Sequence, residues 1–186
     1  MVDPLLLDIP DTFESDRLIF RVPRAGDGPA TNAAVLRSFD TLKPWMPWAQ
    51  EKPSLETSEC NCRRAFAQFL LREDITLRVY RKGNPEIIGS TGLHAPDWQI
   101  RKFMIGYWIG QAHEGNGYAT ETALAITGFA IEKLQARRLE IHVDPRNEHS
   151  ARVAERAGFK LEAIRRNESQ DVDGEVRDMM VFVMIR

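Results

Sequence analysis

Glycines at 110, 115 and 117, running into Tyr118-Ala119-Thr120-Glu121, are the residues of this chain whose types and spacing point most directly to chemistry. Gly115 and Gly117 carry no Cβ, so the backbone can turn tightly there and bring N–H groups close to an anion. Before the turn, Phe103 to Ile109 reads as a largely buried strand; after it, Ala123, Ile126, Thr127, Ala130 and Leu134 repeat at helical spacing. A helix starting at Tyr118 aims its free first-turn N–H groups and the positive end of its dipole at the same point, so the unit suits a phosphate. Strand, glycine turn and helix also make a dinucleotide site, but these glycines do not read GxGxxG and the unit lies past the chain's midpoint. A glycine-containing helix start without any ligand stays open on the loop alone.

Other residues able to do chemistry are few. Cys60 and Cys62 stand two apart at the start of a predicted helix, point in different directions and read as reduced thiols; no Cys/His cluster suggests a metal. His142 lies on the polar side of an alternating strand and reads as a solvated histidine. Trp45 and Trp48 sit on the proline-stiffened loop Lys43-Pro44-Trp45-Met46-Pro47-Trp48, either as a core lid or as the wall of a pocket.

These residues need elements to hold them. Leu18, Phe20 and Val22 alternate in an opening strand, and helices follow over about 27–39 and 55–72, the second placing Cys62, Phe66, Phe69 and Leu70 on one face. Ile75, Leu77 and Val79 form the next strand, which Gly83-Asn84-Pro85 turns back into a strand at 86–89; the 100–109 strand, the glycine turn and its helix come next. Leu139, Ile141 and Val143 then mark a strand reached by a helical crossover, so parallel to the 100–109 strand. A short helix over about 150–157 stops at Gly158 with Phe159 as its apolar contact, and strands at 159–166 and 176–185 are joined through Asp173-Gly174.

The 186 residues suit a single domain over 1–186 of mixed α/β class, with 43% hydrophobic and 28% charged residues. Lys plus Arg number 25 against 27 Asp plus Glu, and the net charge of −2 gives no reason to expect nucleic acid; Arg63-Arg64 and Arg137-Arg138 read as solvated helix faces. The first residues, MVDPLLLDIPD, lack a basic region and a long apolar run, so neither a signal peptide nor a membrane span is expected and the default address is cytoplasmic.

This order of elements resembles the GNAT superfamily of acetyl-CoA-dependent N-acetyltransferases. Ile105-Gly106-Tyr107-Trp108-Ile109 and Gly115-Asn116-Gly117-Tyr118-Ala119-Thr120-Glu121 are similar to its ribosomal-protein N-terminal (RimJ/RimL-like) branch. So are Asn147, Ser150 and Arg152-Val153-Ala154-Glu155 ahead of Ala157-Gly158-Phe159, together with Ser15-Asp16-Arg17-Leu18, Pro44-Trp45-Met46-Pro47-Trp48, and Leu161-Glu162 with Arg165. The resemblance implies a GNAT-like acyl-CoA N-acyltransferase fold: a central, mostly antiparallel sheet splayed between two parallel strands and flanked by helices. It implies acetyl-CoA as co-substrate without a metal, and transfer of acetyl to a primary amine, most naturally the α-amino group of a protein or peptide. A small-molecule amine, such as an amino sugar, polyamine or antibiotic, is the alternative acceptor, and a non-catalytic coenzyme A binding module is the alternative role. Neither nucleic acid nor a membrane is implied as a partner, and a homodimer is left open.

Two departures stand out. Where the family commonly has Gln or Arg at the head of the phosphate loop this chain has Glu114, whose side chain must turn away from a pyrophosphate; and the thiolate-protonating tyrosine of many relatives falls on Ala154. Phosphate binding then rests on backbone N–H groups from Gly115, Asn116, Gly117, Tyr118, Ala119 and Thr120. By the same resemblance, a backbone amide at Trp108 or Ile109 holds the oxyanion, and Ser150 donates to the leaving thiolate unless it only caps a helix. Asn147 holds the pantetheine arm or caps the helix, and Arg152 reaches phosphate or adenine. Glu162 or Glu168 takes the amine's proton through water, and Trp45 and Trp48 line the acceptor side.

Overall fold

The computed structural model describes residues 3–171 and 173–186. Met1 and Val2 of the N-terminal segment, and Val172 in the last loop, lie outside the described residues. A short strand that alternation did not separate, β1 (Thr12–Glu14), pairs antiparallel with β2 (Leu18–Arg21), where Leu18 and Phe20 are fully buried. α1 (Gly28–Arg37), the one-turn α2 (Phe39–Leu42) and α3 (Leu55–Leu71) follow. The Ser54 hydroxyl accepts from Thr57 N at 3.0 Å and caps α3. The buried stripe of α3 runs Ser58, Cys62, Ala65, Phe69; Leu70, one residue further around the helix, is exposed instead of sharing that face.

β3 (Ile75–Arg81), β4 (Ile87–Asp97) and β5 (Lys102–Ile109) form an antiparallel meander, and the strand expected at 86–89 continues to Asp97. α4 (Tyr118–Leu134) crosses to β6 (Arg138–Val143), which runs parallel to β5. Arg138 therefore opens a strand, with Arg137 in the bend before it, and the two are not a helix face. α5 (Glu148–Arg156) begins two residues before the expected start and ends with Gly158 at φ +87 and Phe159 N donating to Ala154 O at 3.0 Å. β7 (Lys160–Gln170) and β8 (Val176–Ile185) complete a sheet of order β1-β2-β3-β4-β5-β6-β8-β7, so the last strand inserts between β6 and β7.

On one face, Ala123, Ile126, Ala130 and Leu134 of α4 pack in one buried cluster with Phe103, Ile105, Leu139 and Ile141 of β5 and β6. On the other, Thr31 of α1 and Cys62 of α3 meet the buried Arg78 of β3.

The feature that positions the site is an opening in the sheet. Among the described residues β5 and β6 pair only at Lys102 with Arg138, Phe103 with Leu139 and Met104 with Glu140, while β6 pairs along its whole length with β8. Beyond Met104, β5 is held on the β4 side alone. Gly110 N donates to Ile88 O at 2.8 Å, so strand alternation puts the Trp108 N–H in the β4 ladder and turns the Tyr107 and Ile109 N–H groups into the gap. Of the two amides expected to face an oxyanion, that of Ile109 points into the gap and that of Trp108 is taken by pairing with β4.

Candidate active site

A cleft of about 1530 Å³ opens where β5 and β6 part, walled by the N-terminus of α4, by α5 and by the loop after α2. Gly117 caps α4 at φ +77 and Gly115 stands at φ +75, a left-handed backbone that glycine adopts without strain. The first bond into the helix runs from Glu121 N to Gly117 O at 3.0 Å, and among the described residues no acceptor meets the N–H groups from Gly115 to Thr120. A run of unpaired donors at the positive end of a 17-residue helix is what a phosphate group requires.

An acid stands in that first turn, and the structure shows how it is neutralised. Glu121 accepts from Ser15 Oγ at 2.7 Å, Arg17 N at 2.9 Å and Arg17 Nε at 2.7 Å. The Arg17 guanidinium also donates to Asn116 O at 3.1 Å and lies 4.6 Å over the Tyr118 ring. Burial pushes the Glu121 carboxyl up, but the Ser15 and Arg17 donors more than offset this and leave it below the ordinary carboxylate value. The segment before β2 thus locks the loop in place, a role that sequence reading did not assign to Arg17 or Glu121. Glu114 is exposed at the cleft, and its carbonyl accepts from Asn116 Nδ2 at 3.0 Å.

At the other end of the cleft, the Asn147 side-chain carbonyl caps α5 by accepting from Ser150 N at 3.0 Å. That leaves the Asn147 amide nitrogen without a partner among the described residues. Ser150 Oγ stands 3.0 Å from the Tyr107 hydroxyl, which also reaches Ser150 O at 3.2 Å. Burial pushes Tyr107 up to about 12, against the lowering effects of Ser150 and of the Arg156 charge, so it holds its proton at neutral pH. Two hydroxyls therefore stand together beside the gap. Tyr107 was missed in the sequence because an aromatic in a buried strand reads as core.

Ile109, Gly115, Gly117, Tyr118, Ala119, Thr120, Asn147, Ser150 and Arg152 all line the cleft, as do Trp45 and Trp108. Arg152 is held by Glu148 at 3.1 Å. Asn116 contributes its carbonyl to Arg17 and is not part of the lining. Trp48 is 52% exposed and outside the lining, its ring tilted against Trp108 at 6.5 Å. The structure does not bring Glu162 or Glu168 to the cleft. β7 lies at the sheet edge beyond β8; Glu162 is bound by Arg138 at 2.9 and 2.5 Å, and Glu168 pairs with Arg165 at 2.9 Å. His142 is not freely solvated, because its Nε2 meets the buried Glu140 at 2.8 Å.

Among the described residues no group of three or more His, Cys, Asp or Glu is arranged to hold a metal ion, and no helix is long and apolar enough to cross a membrane.

Comparison with known proteins agrees with this geometry. The family model described as "Acetyltransferase (GNAT) domain" matches residues 17–160. The Bacillus subtilis protein named "Probable N-acetyltransferase YjcK" is 30% identical over 114 residues, a stretch covering 61% of this chain and 62% of that protein. Among solved structures, the ribosomal L7/L12 α-N-protein acetyltransferase RimL, in complex with coenzyme A, aligns with a TM-score of 0.85 at 21% identity over 95% of this chain and 97% of its own. The microcin C7 self-immunity acetyltransferase MccE, in complex with acetyl-CoA and AMP, aligns at 0.85 with 17% identity over 92% and 94%.

Proposed function

The chain belongs to the GNAT acetyltransferase family, and from that premise we propose that it transfers the acetyl group of acetyl-CoA to the α-amino group of a protein or peptide. The observation that carries the donor is the run of unpaired N–H groups from Gly115 to Thr120, opening directly onto the gap between β5 and β6. These N–H groups hold the pyrophosphate, and the free Asn147 amide meets the amide-bearing arm. The Ile109 N–H faces the thioester oxygen, where negative charge develops as the amine adds. Ser150, with Tyr107 behind it, donates to the sulfur as the C–S bond breaks. Acetyl-CoA supplies the activated acyl group; the protein supplies placement and donors.

The cleft wall supports the acceptor class. Arg146, Arg152 and Arg156 balance Glu14, Asp16 and Glu114, so the groove lacks the acidic character a polycationic small molecule would favour. An α-amine, with an ordinary pKa of about 7.7–8.0, also needs far less help to deprotonate than a lysine at about 10.4. RimL, named for acetylating a ribosomal protein N-terminus, shares the fold, but so does MccE, and fold alone does not choose an acceptor. Thiol release from acetyl-CoA, measured with N-terminal peptides, aminoglycosides and polyamines, tests the proposal. Turnover with peptides is expected, and turnover confined to either small-molecule class overturns it.

A further inference from the structure

With Glu162 and Glu168 away from the cleft, the proton of the acceptor amine has no assigned destination. The sheet supplies one on the face opposite α4. Gly92 of β4 stands beside Gly106 of β5, two residues along from the His94–Met104 pair and on the same face, and the His94 ring lies over both glycines. A Cβ on Gly92 would fall 2.8 Å from His94 Nε2 and one on Gly106 would fall 3.0 Å from it, so the two missing side chains make the ring's place. Behind the ring, His94 Nδ1 meets Asp74 Oδ2 at 2.6 Å, and Asp74 Oδ1 accepts from Thr76 Oγ1 at 2.7 Å.

We propose that His94, oriented by Asp74, is the proton acceptor for the amine that attacks in the gap between β5 and β6. The inference rests on the acetyl-transfer reading of that gap. A carboxylate accepts only from a protonated ring nitrogen, so Asp74 fixes the proton on Nδ1 and leaves Nε2 as the free base. Gly106 is the β5 residue beside which the gap has just opened, and Ile109 lies three residues on, about 10 Å of strand. His94 lies outside the cleft lining, so a chain of waters, and not a single one, has to span that interval. The amine nitrogen, as it forms its bond to the acetyl carbon, gives its proton to the nearest water of that chain, and the last water gives one to Nε2. The imidazolium later releases it to solvent, while the departing sulfur takes its own proton from the Ser150 side of the gap.

The charged groups around His94 are Asp74 ahead of β3, Lys102 and, beyond Met104, Glu140, His142 and Arg138 of β6, with Asp97 at the end of its own strand. His142 is the weaker candidate because its Nε2 is taken by Glu140. The lone pair it has left is on Nδ1, close to its own backbone.

The test compares variants with the wild type on whichever amine the wild type acetylates, so that it stands apart from the identity of the acceptor. His94→Asn keeps a donor for Asp74 but has no titrating nitrogen. It should lose kcat by more than tenfold, keep its acetyl-CoA thermal shift, and lose the acid-side limb of the kcat–pH profile. The loss should deepen across a series of amines of rising pKa, and imidazole should restore part of the rate to His94→Gly. Asp74→Asn, a change to a positioning residue, should lose less. Gly106→Ala, which presses on the ring while leaving every titrating side chain in the sequence, should lower kcat at unchanged melting midpoint. An unaltered rate and pH profile in His94→Asn, or the same losses appearing in His142→Asn instead, overturns the assignment while leaving the transfer reaction itself standing.

Discussion

Ser150 touches both a backbone cap and a neighbouring phenol, and its two possible roles separate by measurement. If its hydroxyl donates to the leaving thiolate, Ser150→Ala lowers kcat by more than tenfold and leaves acetyl-CoA affinity nearly intact, since that charge exists only late in the reaction. The cap of α5 comes from Asn147, so the melting midpoint should barely move. A destabilised but fully active Ser150→Ala protein would sink the catalytic role. Glu121 carries a second residue-scale prediction. Its folded pKa is depressed, so its contribution is present above the unfolded carboxylate range and is lost as pH falls through the lower folded value. Melting midpoints taken from pH 6 downward should fall more steeply for the wild type than for Glu121→Gln, and parallel curves would show that Arg17 and Ser15 do not depend on the charge. The role of the helix-start serine was legible from its motif, whereas Tyr107, Arg17 and Glu121 stood in motifs that did not show what they do. Their meaning comes from partners 43, 104 and 106 positions away in the chain, which no local pattern reports.

The phosphate loop and α4 were the most legible element, because left-handed glycines and helical periodicity are both local properties. Gly117→Asp adds a β-carbon at φ +77 and a negative charge at the unpaired N–H groups, so the acetyl-CoA thermal shift should vanish. A retained shift would take the loop out of the site. Strand order was the part that could not be read. Glu162 and Glu168 stood in the strand just after α5, and nothing in its pattern says which strand it joins. Here β8 takes the place beside β6 and carries β7 to the edge, which leaves Glu162 to Arg138. Which of two antiparallel strands joins the sheet first is decided by packing across β6, not by alternation within either strand. The end of β5 shows the same limit: alternation found the strand, but only the Gly110–Ile88 bond decided which of its amides is free.

At the scale of the molecule, a ligand that bridges α4, α5 and the gap should stabilise the whole fold by binding the native state alone. At acetyl-CoA about a hundredfold above its Kd the gain is about 2.7 kcal/mol, worth roughly 5–10 °C in a domain of this size. NAD at the same concentration should produce no comparable rise, because the loop lacks the spacing of a dinucleotide fingerprint. An equal rise with NAD would return the dinucleotide reading.

Among the described residues three register pairs stitch the β1–β5 half of the sheet to β6, β8 and β7, and α4 spans the two halves like a brace. Unzipping should therefore begin at this seam. Deuterium uptake resolved by residue should be fast at the Tyr107 and Ile109 amides, which have no strand partner across the gap, and slow at Trp108, which does have one in β4. Coenzyme A lodged in the gap would act as the missing stitches. It should slow exchange at Ile109 and also in β6, whose residues it need not touch, so that occupancy of the site is written into the rigidity of the sheet as a whole.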